Sequence, residues 1–404
     1  MVRFARLQME HSTIAVIGAG PAGSLAAARL AQAGRRVFLL DEKMAWEKPC
    51  GGGITHKAIA QYPFLAEAQI ERNWASQCEI VSPGGRRVHF ALDQPIAIFS
   101  RRVLNGLLLD LAIQAGAEFR QIRVISIAGT PGCWRLRGSD GEMQAEYVII
   151  AAGARNPFRA QFSRPFTSGD LMATAGYYIP GTSPTMELQF LPGLHGYIWI
   201  FPRANHFSAG ICGKLNGLST SQLRSLLEKS MTAAGLPFAG GKFYAHVLPA
   251  LRLSTLRHAA VSGAGWAMVG DAAGFTDPIT GEGLHYALRS ADLLSESLLQ
   301  SAPETYPARL KKDFLNELEM AARIADRFFT GRWMGESVTE RMVQFTELSP
   351  RFRQLMCDMF SGAQGYLNLR QRLYRTLPAT LAESAVSALG LRALSSRPTV
   401  SKVS

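Results

Sequence analysis

Three glycines and an acid near the N-terminus have a spacing that suits phosphate and ribose binding. Gly18, Gly20 and Gly23 follow an apolar stretch, and Asp41 ends the next one. In this arrangement the first glycine allows a tight turn, the second lets the backbone approach a pyrophosphate, and the third lets a helix pack close to a strand. We expect the N–H groups at the helix N-terminus to bind phosphates and Asp41 to bind a ribose hydroxyl. Glu42 is the alternative acid, and a solvated strand end would explain Asp41 without a ligand.

A second motif lies near residue 270, where an apolar strand ends in Gly270-Asp271 and a helix starts at Gly281 and Gly283. The Asp271 carboxylate is suited to accept a hydrogen bond from a sugar-alcohol hydroxyl. The helix N-terminus favours negative charge, which reduced flavin carries at N1/O2. A plain helix cap with Asp271 as capping residue is the alternative. Together, the two motifs predict FAD as cofactor.

Cys50 precedes three consecutive glycines, of which Gly51 and Gly52 come first. Such a run lets a flat ring lie against the backbone, and it costs conformational entropy unless something uses it. We therefore predict that Gly51 and Gly52 contact the cofactor. Cys50 is a candidate proton donor, a candidate redox-sensitive thiol or a small packing residue.

Three aromatic residues alternate along one predicted strand, at Tyr197, Trp199 and Phe201. Alternate residues of a strand share one face, so the three rings would line a common surface. Such a surface suits an apolar substrate site. Aromatic residues are also common in the core of a sheet, which leaves a structural role open.

The elements that must position these residues predict an α/β protein. A strand–helix–strand start, a β-meander and a buried apolar strand at 147–152 indicate a Rossmann-like domain. Alternating β-like segments then indicate an inserted antiparallel-sheet substrate domain, and the end of the chain is mostly helical, with a tail after Ser395 that we expect to be disordered. The predicted boundaries are 1–169 and 257–302 for the two parts of the FAD-binding domain, 170–256 for the insert and 303–404 for the helical region.

Composition excludes several other classes of protein. The chain has 404 residues, of which 47% are hydrophobic, and a formal net charge of +12. No apolar run reaches the roughly 18–20 residues of a membrane span, and the N-terminus has no apolar signal core, so we expect a cytoplasmic protein. The basic residues are scattered and no nucleic-acid motif accompanies them, which excludes nucleic acid and leaves attraction to a membrane surface or a basic solvated surface. Five cysteines without a CxxC pair indicate neither a disulfide framework nor a zinc site, and the histidines show no metal spacing.

The two glycine motifs resemble those of FAD-dependent oxidoreductases with the p-hydroxybenzoate-hydroxylase-like fold. That family carries an Arg at the start of the helix before the meander. The resemblance implies that Arg101 touches the FAD phosphates, with Arg102 as the competing choice. The related hydroxylases have Asp-Gly where this chain has Ala152-Gly153, which weakens the case for direct use of NAD(P)H. NAD(P)H and a donor protein are the alternative electron donors.

Within this fold, two passages resemble the geranylgeranyl reductase family. Residues 48–54, Lys-Pro-Cys-Gly-Gly-Gly-Ile, resemble that family's Cys-Gly-Gly loop beside the flavin, and residues 196–203 resemble its YxWxFP motif. The resemblance covers about residues 12–300, and the last hundred residues match only in being helical. Flavin halogenases carry a similar aromatic-Pro motif, so the resemblance is specific for FAD and fold and less so for substrate.

The sequence therefore predicts an FAD-dependent oxidoreductase that reduces carbon–carbon double bonds of an isoprenoid or another apolar small molecule. Hydride would pass from flavin N5 to one alkene carbon, and Cys50, Tyr197 or a held water would protonate the other. One alternative is a flavin-dependent monooxygenase or halogenase. Another is an electron carrier that docks at a membrane through its basic helical tail.

Overall fold

The computed structural model describes residues 10–395 of the chain, so the predicted disorder after Ser395 concerns residues outside this range. The strands are β1 (Glu10–Ile17), β2 (Val37–Leu40), β3 (Gly53–Ile54), β4 (Arg72–Val81), β5 (Arg87–Phe99), β6 (Glu118–Arg120), β7 (Val124–Thr130), β8 (Cys133–Gly138), β9 (Gly141–Ile150), β10 (Leu171–Pro180), β11 (Thr185–Gln189), β12 (Gly196–Pro202), β13 (His206–Lys214), β14 (Lys242–Pro249), β15 (Ser262–Gly263), β16 (Trp266–Met268), β17 (Arg332–Trp333) and β18 (Glu336–Ser337).

The helices are α1 (Pro21–Gln32), α2 (His56–Gln61), α3 (Phe64–Glu67), α4 (Arg101–Gln114), α5 (Arg159–Phe162), α6 (Thr220–Ala233), α7 (Leu253–His258), α8 (Leu284–Leu299), α9 (Tyr306–Leu310), α10 (Asn316–Thr330), α11 (Val338–Leu348), α12 (Pro350–Ser361) and α13 (Leu369–Ser395).

The first sheet runs in the order β15-β16-β9-β1-β2-β6 and is parallel from β16 to β6. From β9 it continues through β8 and β7 as an antiparallel meander. Residues 14–17 of β1 and 147–150 of β9 are buried, and they share a hydrophobic core with α1, α4 and α8. A parallel sheet covered by helices requires such unbroken apolar runs. The predicted fold class, with its Rossmann-like sheet and meander, is confirmed.

The second sheet runs in the order β14-β10-β13-β12-β11-β4-β5-β3. Its neighbours are antiparallel except for β11 and β4. The predicted insert at 170–256 supplies β10 to β14, whereas β3 to β5 come from residues 53–99. The sheet thus joins two parts of the chain that are separated by the whole meander.

The two faces of the second sheet have different covers. Leu223, Leu227 and Met231 of α6 pack on the face that carries Ile198 and Ile200. The opposite face is covered by the roof helices, as we call α10 to α13, and a cavity lies between that face and the roof. Within residues 10–395, no helix combines the length and the apolar character needed to cross a bilayer.

Candidate functional site

The first glycine motif forms a tight turn between β1 and α1. Gly18 has φ +104°, and a Cβ there would lie 2.4 Å from the Ala151 carbonyl oxygen. A Cβ on Gly23 would lie 1.8 Å from the Gly18 oxygen, so helix and strand pack at a distance that only glycine allows. Gly20, by contrast, has no atom within 4 Å of its Cβ position and faces the cavity. With Pro21 in the first turn of α1, the turn leaves an open helix N-terminus where an anionic group fits.

Asp41 and Glu42 occupy different places at the end of β2. The Asp41 carboxylate accepts hydrogen bonds from the backbone N–H of Ala19 at 2.7 Å and of Lys43 at 2.9 Å. Burial raises the pKa of Asp41 above its ordinary value, although these two bonds oppose the shift. The Glu42 carboxylate lies 3.8 Å from Arg123. Of the two acids, Asp41 is therefore the one held against the glycine turn.

Arg101 and Arg102 also differ in their surroundings. The Arg101 side chain is 3% exposed and lines the cavity, and its Nη2 donates to Asn105 at 3.3 Å. Its buried Nε has no hydrogen-bond partner among the described residues. Arg102 is exposed at the start of α4. An unpaired donor of a buried guanidinium is costly unless a ligand satisfies it, so the surroundings of Arg101 fit a cofactor phosphate.

The second glycine motif places Asp271 directly after β16, at the wall of the same cavity. Its Oδ2 accepts a hydrogen bond from Lys48 Nζ at 2.6 Å. Burial raises the pKa of Asp271, but the charge and hydrogen bond of Lys48 outweigh it, with smaller help from Arg101 and His246, and the pKa lies below its ordinary value. Asp271 is therefore held as a carboxylate, which can accept from a hydroxyl. The sequence analysis gave Lys48 no role of its own.

The start of α8 carries a titratable group that the sequence analysis missed. Gly283 caps the helix, and Gly281 before it has φ +71°. Glu282 between them accepts a hydrogen bond from Thr55 Oγ1 at 3.2 Å. Burial and the nearby charge of Asp277 raise the pKa of Glu282 to about 7. This carboxyl therefore changes its charge near neutral pH, at the wall of the cavity.

The glycines after Cys50 make room for a side chain of the protein itself. A Cβ on Gly51 would lie 2.7 Å from the Phe201 ring, and one on Gly53 would lie 3.3 Å from it. Gly52 has φ +88°, and its Cβ would lie 2.1 Å from the Phe99 oxygen. Gly51 and Gly53 therefore let the loop cross directly over Phe201, and Gly52 lets it pass the Phe99 backbone. This reason for the run differs from the contact with a cofactor ring that we predicted.

The Cys50 loop is fixed through one buried arginine. Arg203 is 1% exposed, and its Nη2 donates to the Cys50 carbonyl oxygen at 2.7 Å. Its Nη1 donates to Glu47 Oε1 at 2.6 Å, a contact we call the Glu47–Arg203 pair. The Glu47 carboxylate also accepts from the backbone N–H of Arg101 at 2.9 Å and of Arg102 at 3.1 Å. The pair therefore joins the loop, the N-terminus of α4 and the second sheet.

Charge explains why this pair is stable in the interior. Burial raises the pKa of Glu47, but the charge of Arg203 and the donated hydrogen bonds outweigh it, so the pKa lies below its ordinary value. The Cys50 oxygen accepts a second hydrogen bond, from Ser208 Oγ at 2.9 Å, and the Cys50 Sγ accepts from the Gly52 N–H at 3.3 Å. Cys50 is therefore held by its backbone, and the residue lines the cavity.

The alternating aromatic residues of β12 lie on one face, as the spacing predicts. Tyr197, Trp199 and Phe201 all line the cavity, whereas Ile198 and Ile200 face α6. The Tyr197 hydroxyl donates to the Thr280 carbonyl oxygen in the loop before α8. Burial raises the pKa of Tyr197 well above its ordinary value, so this hydroxyl keeps its proton at neutral pH.

The glycine turn, the Cys50 loop, the start of α8 and the aromatic residues of β12 border one cavity of about 1560 Å³, together with Asp41, Arg101 and Asp271. It extends from the glycine turn past the Cys50 loop to an apolar end between the second sheet and the roof helices. The apolar end includes Met186, Leu188 and Phe190 from the sheet and Phe328, Met342 and Met356 from the roof. Ordinary small-molecule sites enclose roughly 300–1,000 Å³. The cavity therefore has room for a dinucleotide and a second, apolar molecule.

Comparison with known proteins agrees with this geometry. The model of the family described as "Pyridine nucleotide-disulphide oxidoreductase" matches residues 12–166. The menaquinone reductase of Mycobacterium tuberculosis is 26% identical, over 78% of this chain and 84% of the relative. Digeranylgeranylglycerophospholipid reductase 1 of Methanopyrus kandleri is 28% identical, over 78% of this chain and 89% of the relative.

Solved structures share the fold. A geranylgeranyl bacteriochlorophyll reductase-like protein from Thermoplasma acidophilum superposes with a TM-score of 0.74 at 19% identity, over 91% of this chain and 99% of that one. The flavin-dependent brominase Bmp2 superposes with a TM-score of 0.65 at 14% identity, over 87% of this chain and 94% of that one. These similarities confirm the predicted resemblance: the chain is an FAD-dependent oxidoreductase, and it is similar to the geranylgeranyl reductases.

Proposed function

We propose that the protein reduces carbon–carbon double bonds in an isoprenoid chain or another long apolar molecule. The observation that carries the proposal is the shape of the cavity, whose FAD end continues without a break into an apolar end under the roof helices. The names of the relatives, a menaquinone reductase and a digeranylgeranylglycerophospholipid reductase, point to substrates with prenyl chains.

The first task of the chain's residues is to hold the cofactor. The open glycine turn at Gly20 and the unpaired Nε of Arg101 suit its phosphates, and Asp41 suits its adenosine ribose. Asp271, kept ionised by Lys48, suits a hydroxyl of the ribityl chain, and the N-terminus of α8 suits the negative end of the ring. Once bound, FAD supplies the hydride in its reduced state.

The second task is to hold an apolar chain away from water. Tyr197, Trp199 and Phe201 form one wall beside the Cys50 loop, and the roof helices form the opposite wall. An apolar molecule gains roughly 25 cal/mol for each Å² that it buries. We propose that this burial positions a double bond beside the cofactor and excludes water from the reacting carbons.

The third task is to deliver a proton to the second alkene carbon. Cys50 and Tyr197 remain the candidates from the sequence, and both line the cavity. The Tyr197 proton is engaged by the Thr280 oxygen, so it would need to leave that acceptor. The Cys50 sulfur only accepts a hydrogen bond, from the Gly52 N–H, which leaves its own proton free to be donated. We therefore propose Cys50 as the donor and Tyr197 as a residue that shapes the site.

The test is reoxidation of the reduced enzyme in the absence of oxygen. We expect prenyl substrates to restore the absorbance of oxidised flavin and to leave a product that is two hydrogens heavier. If no prenyl substrate reoxidises the enzyme, the proposal fails. Oxygen consumption with an oxygenated or halogenated product would instead establish the monooxygenase or halogenase alternative, whose structural relatives include a brominase.

Two matched variants link the test to the cavity. Met342→Trp adds bulk under the roof, and we expect it to raise KM for long prenyl chains more than for short ones. Met334→Trp is the control, because Met334 is exposed on the turn between β17 and β18. Equal effects of the two changes would show that the apolar end does not hold the substrate chain.

A further inference from the structure

The last helix, α13, buries polar side chains and exposes apolar ones. Thr380 and Ser384 are buried, while Tyr374 is 63% exposed, Val386 71% and Leu389 67%. A helix on the surface of a soluble domain normally buries its apolar stripe and exposes its polar face. An exposed apolar stripe needs an apolar partner.

The exposed stripe is continuous and carries no charge. Among residues 376–387 and 389, whose exposure the structure describes, the exposed side chains are all apolar, and they belong to Pro378, Leu381, Ala382, Ala385, Val386 and Leu389. At 1.5 Å per residue, the stretch from 376 to 389 is about 20 Å long. The opposite side of α13 is attached to the end of α11 and the start of α12. There Ser349 donates to Glu383 at 2.6 Å, and Ser387 donates to the Leu348 oxygen at 2.9 Å.

Positive charge stands at one end of this stripe. Arg370 and Arg375 are both exposed, and neither has an acidic partner within the described part of the chain. The Arg370 guanidinium lies 5.4 Å from the centre of the Tyr374 ring. Apolar residues next to unpaired arginines are typical of helices that lie in the surface of a membrane with anionic lipids.

The stripe begins at exposed side chains that also border the cavity, so the cavity reaches the protein surface beside the stripe. Arg370, Leu373, Tyr374 and Leu377 belong to α13 and also line the cavity. We propose that the exposed face of α13 docks on an anionic phospholipid bilayer and brings the mouth of the cavity to the membrane surface. The docking is inferred from α13 alone. In this position a substrate could enter the cavity from the bilayer, and only this consequence rests on the proposed function.

A second copy of this chain is the competing occupant of the stripe. A symmetric pair would bring identical surfaces together, and Arg370 and Arg375 would then approach their own copies. Anionic lipid head groups, by contrast, complement both arginines and the net charge of +12. The charges therefore favour the bilayer.

The experiment is sedimentation of the full-length, FAD-loaded protein with vesicles that contain no isoprenoid. We expect binding to vesicles of phosphatidylcholine with phosphatidylglycerol, and weaker binding to phosphatidylcholine alone. The double variant Leu381→Asp/Leu389→Asp should bind at least tenfold more weakly. Ile125→Asp is the matched control, because Ile125 is an exposed apolar residue on β7, and it should bind like the wild type.

A third variant separates charge from apolar contact. Each basic residue near an anionic surface contributes roughly 1 kcal/mol, so Arg375→Gln should weaken binding to anionic vesicles about fivefold and leave binding to phosphatidylcholine unchanged. Thermal melting and FAD content check that every variant is folded.

The outcomes decide the docking and the function separately. Failure of the wild type to bind anionic vesicles, or equal binding by the Leu381→Asp/Leu389→Asp variant, would overturn the docking. A dimer that this variant splits, without vesicle binding by either protein, would assign the stripe to a second copy. Vesicle binding without reduction of any prenyl substrate would leave the docking standing and overturn the proposed function only.

Discussion

Replacing Arg203 with methionine should destabilise the protein more than any exposed ion pair can. The change keeps the apolar stem of the side chain but removes the ion pair with Glu47 and the hydrogen bond to the Cys50 oxygen. It also removes a guanidinium that lies 4.9 Å from the centre of the Tyr178 ring. Breaking a buried ion pair by removing one partner costs about 3–5 kcal/mol. Glu47 keeps its hydrogen bonds from the Arg101 and Arg102 N–H groups and its side chain is 23% exposed, so we expect a loss near the lower end, about 3 kcal/mol. Domains are stable by only about 5–15 kcal/mol.

The direction of the pH dependence follows from Glu47. Its pKa in the folded protein lies below the ordinary value of 4.5, so its ionisation stabilises the fold above that pH. This stabilisation is lost as the pH falls through the pKa of the folded state. The difference between wild type and Arg203→Met should therefore be full at pH 7 and shrink in acid.

Guanidinium denaturation followed by circular dichroism measures these free energies. A double-mutant cycle with Glu47→Gln isolates the pair, and we expect the double variant to lose less than the sum of the single losses. Arg36→Met is the control, because Arg36 pairs with Glu118 at the surface, where such pairs contribute about 0–1 kcal/mol. A loss below about 1 kcal/mol for Arg203→Met, or strict additivity in the cycle, would refute the reasoning.

Three further changes test other contacts. The pKa of Glu282 is raised from 4.5 to about 7, so its ionisation destabilises the fold as pH rises through 7. The free energy of unfolding of Glu282→Gln should therefore exceed that of the wild type by about 3 kcal/mol at pH 8 and equal it at pH 4. A stabilisation that does not depend on pH would contradict the raised pKa. Gly51→Ala places a Cβ 2.7 Å from the Phe201 ring and should cost about 1–3 kcal/mol in denaturant melts. The control Gly106→Ala, in the open interior of α4, should gain up to about 1 kcal/mol, and a similar loss at both sites would exclude the contact with Phe201. Tyr366→Phe removes a buried 2.7 Å hydrogen bond to Asp277 and should lower the free energy of unfolding by about 1–3 kcal/mol. Tyr374 is exposed, so Tyr374→Phe should not change the free energy measurably. Equal stability of the two variants would show that the bond to Asp277 does not stabilise the fold.

The sequence was most informative where chemistry depends on neighbours along the chain. The turn from Gly18 to Gly23 and the strand from Tyr197 to Phe201 are set by local spacing, and the structure has both as predicted. Periods of two and of 3.6 residues are local properties as well. They located the meander and α8 from the chain alone.

Contacts between distant residues escaped prediction. Glu47 and Arg203 are 156 positions apart, and Lys48 and Asp271 are 223 apart. Nothing in the spacing of a single sequence indicates that such side chains meet. Lys48 and Arg203 do lie inside the two passages that resemble the geranylgeranyl reductases. Their positions, at the edges of a glycine loop and of an aromatic strand, are the signal in the sequence that could have indicated ion pairs with distant acids.

The neighbours of a strand are equally hard to predict from sequence. The hairpin of β4 and β5 follows from its turn at Pro83, but its parallel pairing with β11 joins Gln77 to Thr185 across more than a hundred residues. The position of the roof helices depends on the same kind of contact, because Val343 and Met356 complete a core that the sheet begins.

The order of the segments along the chain affects how the protein is made. The apolar face of the second sheet that the roof helices cover, with Met186 and Phe190, is synthesised more than a hundred residues before those helices. Partly made chains that expose apolar surface are prone to aggregate. A ribosome that stalls after α8 would therefore release a product with a finished first sheet and an open hydrophobic face, a natural client for chaperones. The apolar face of the second sheet is covered only when the last-made segment has been synthesised.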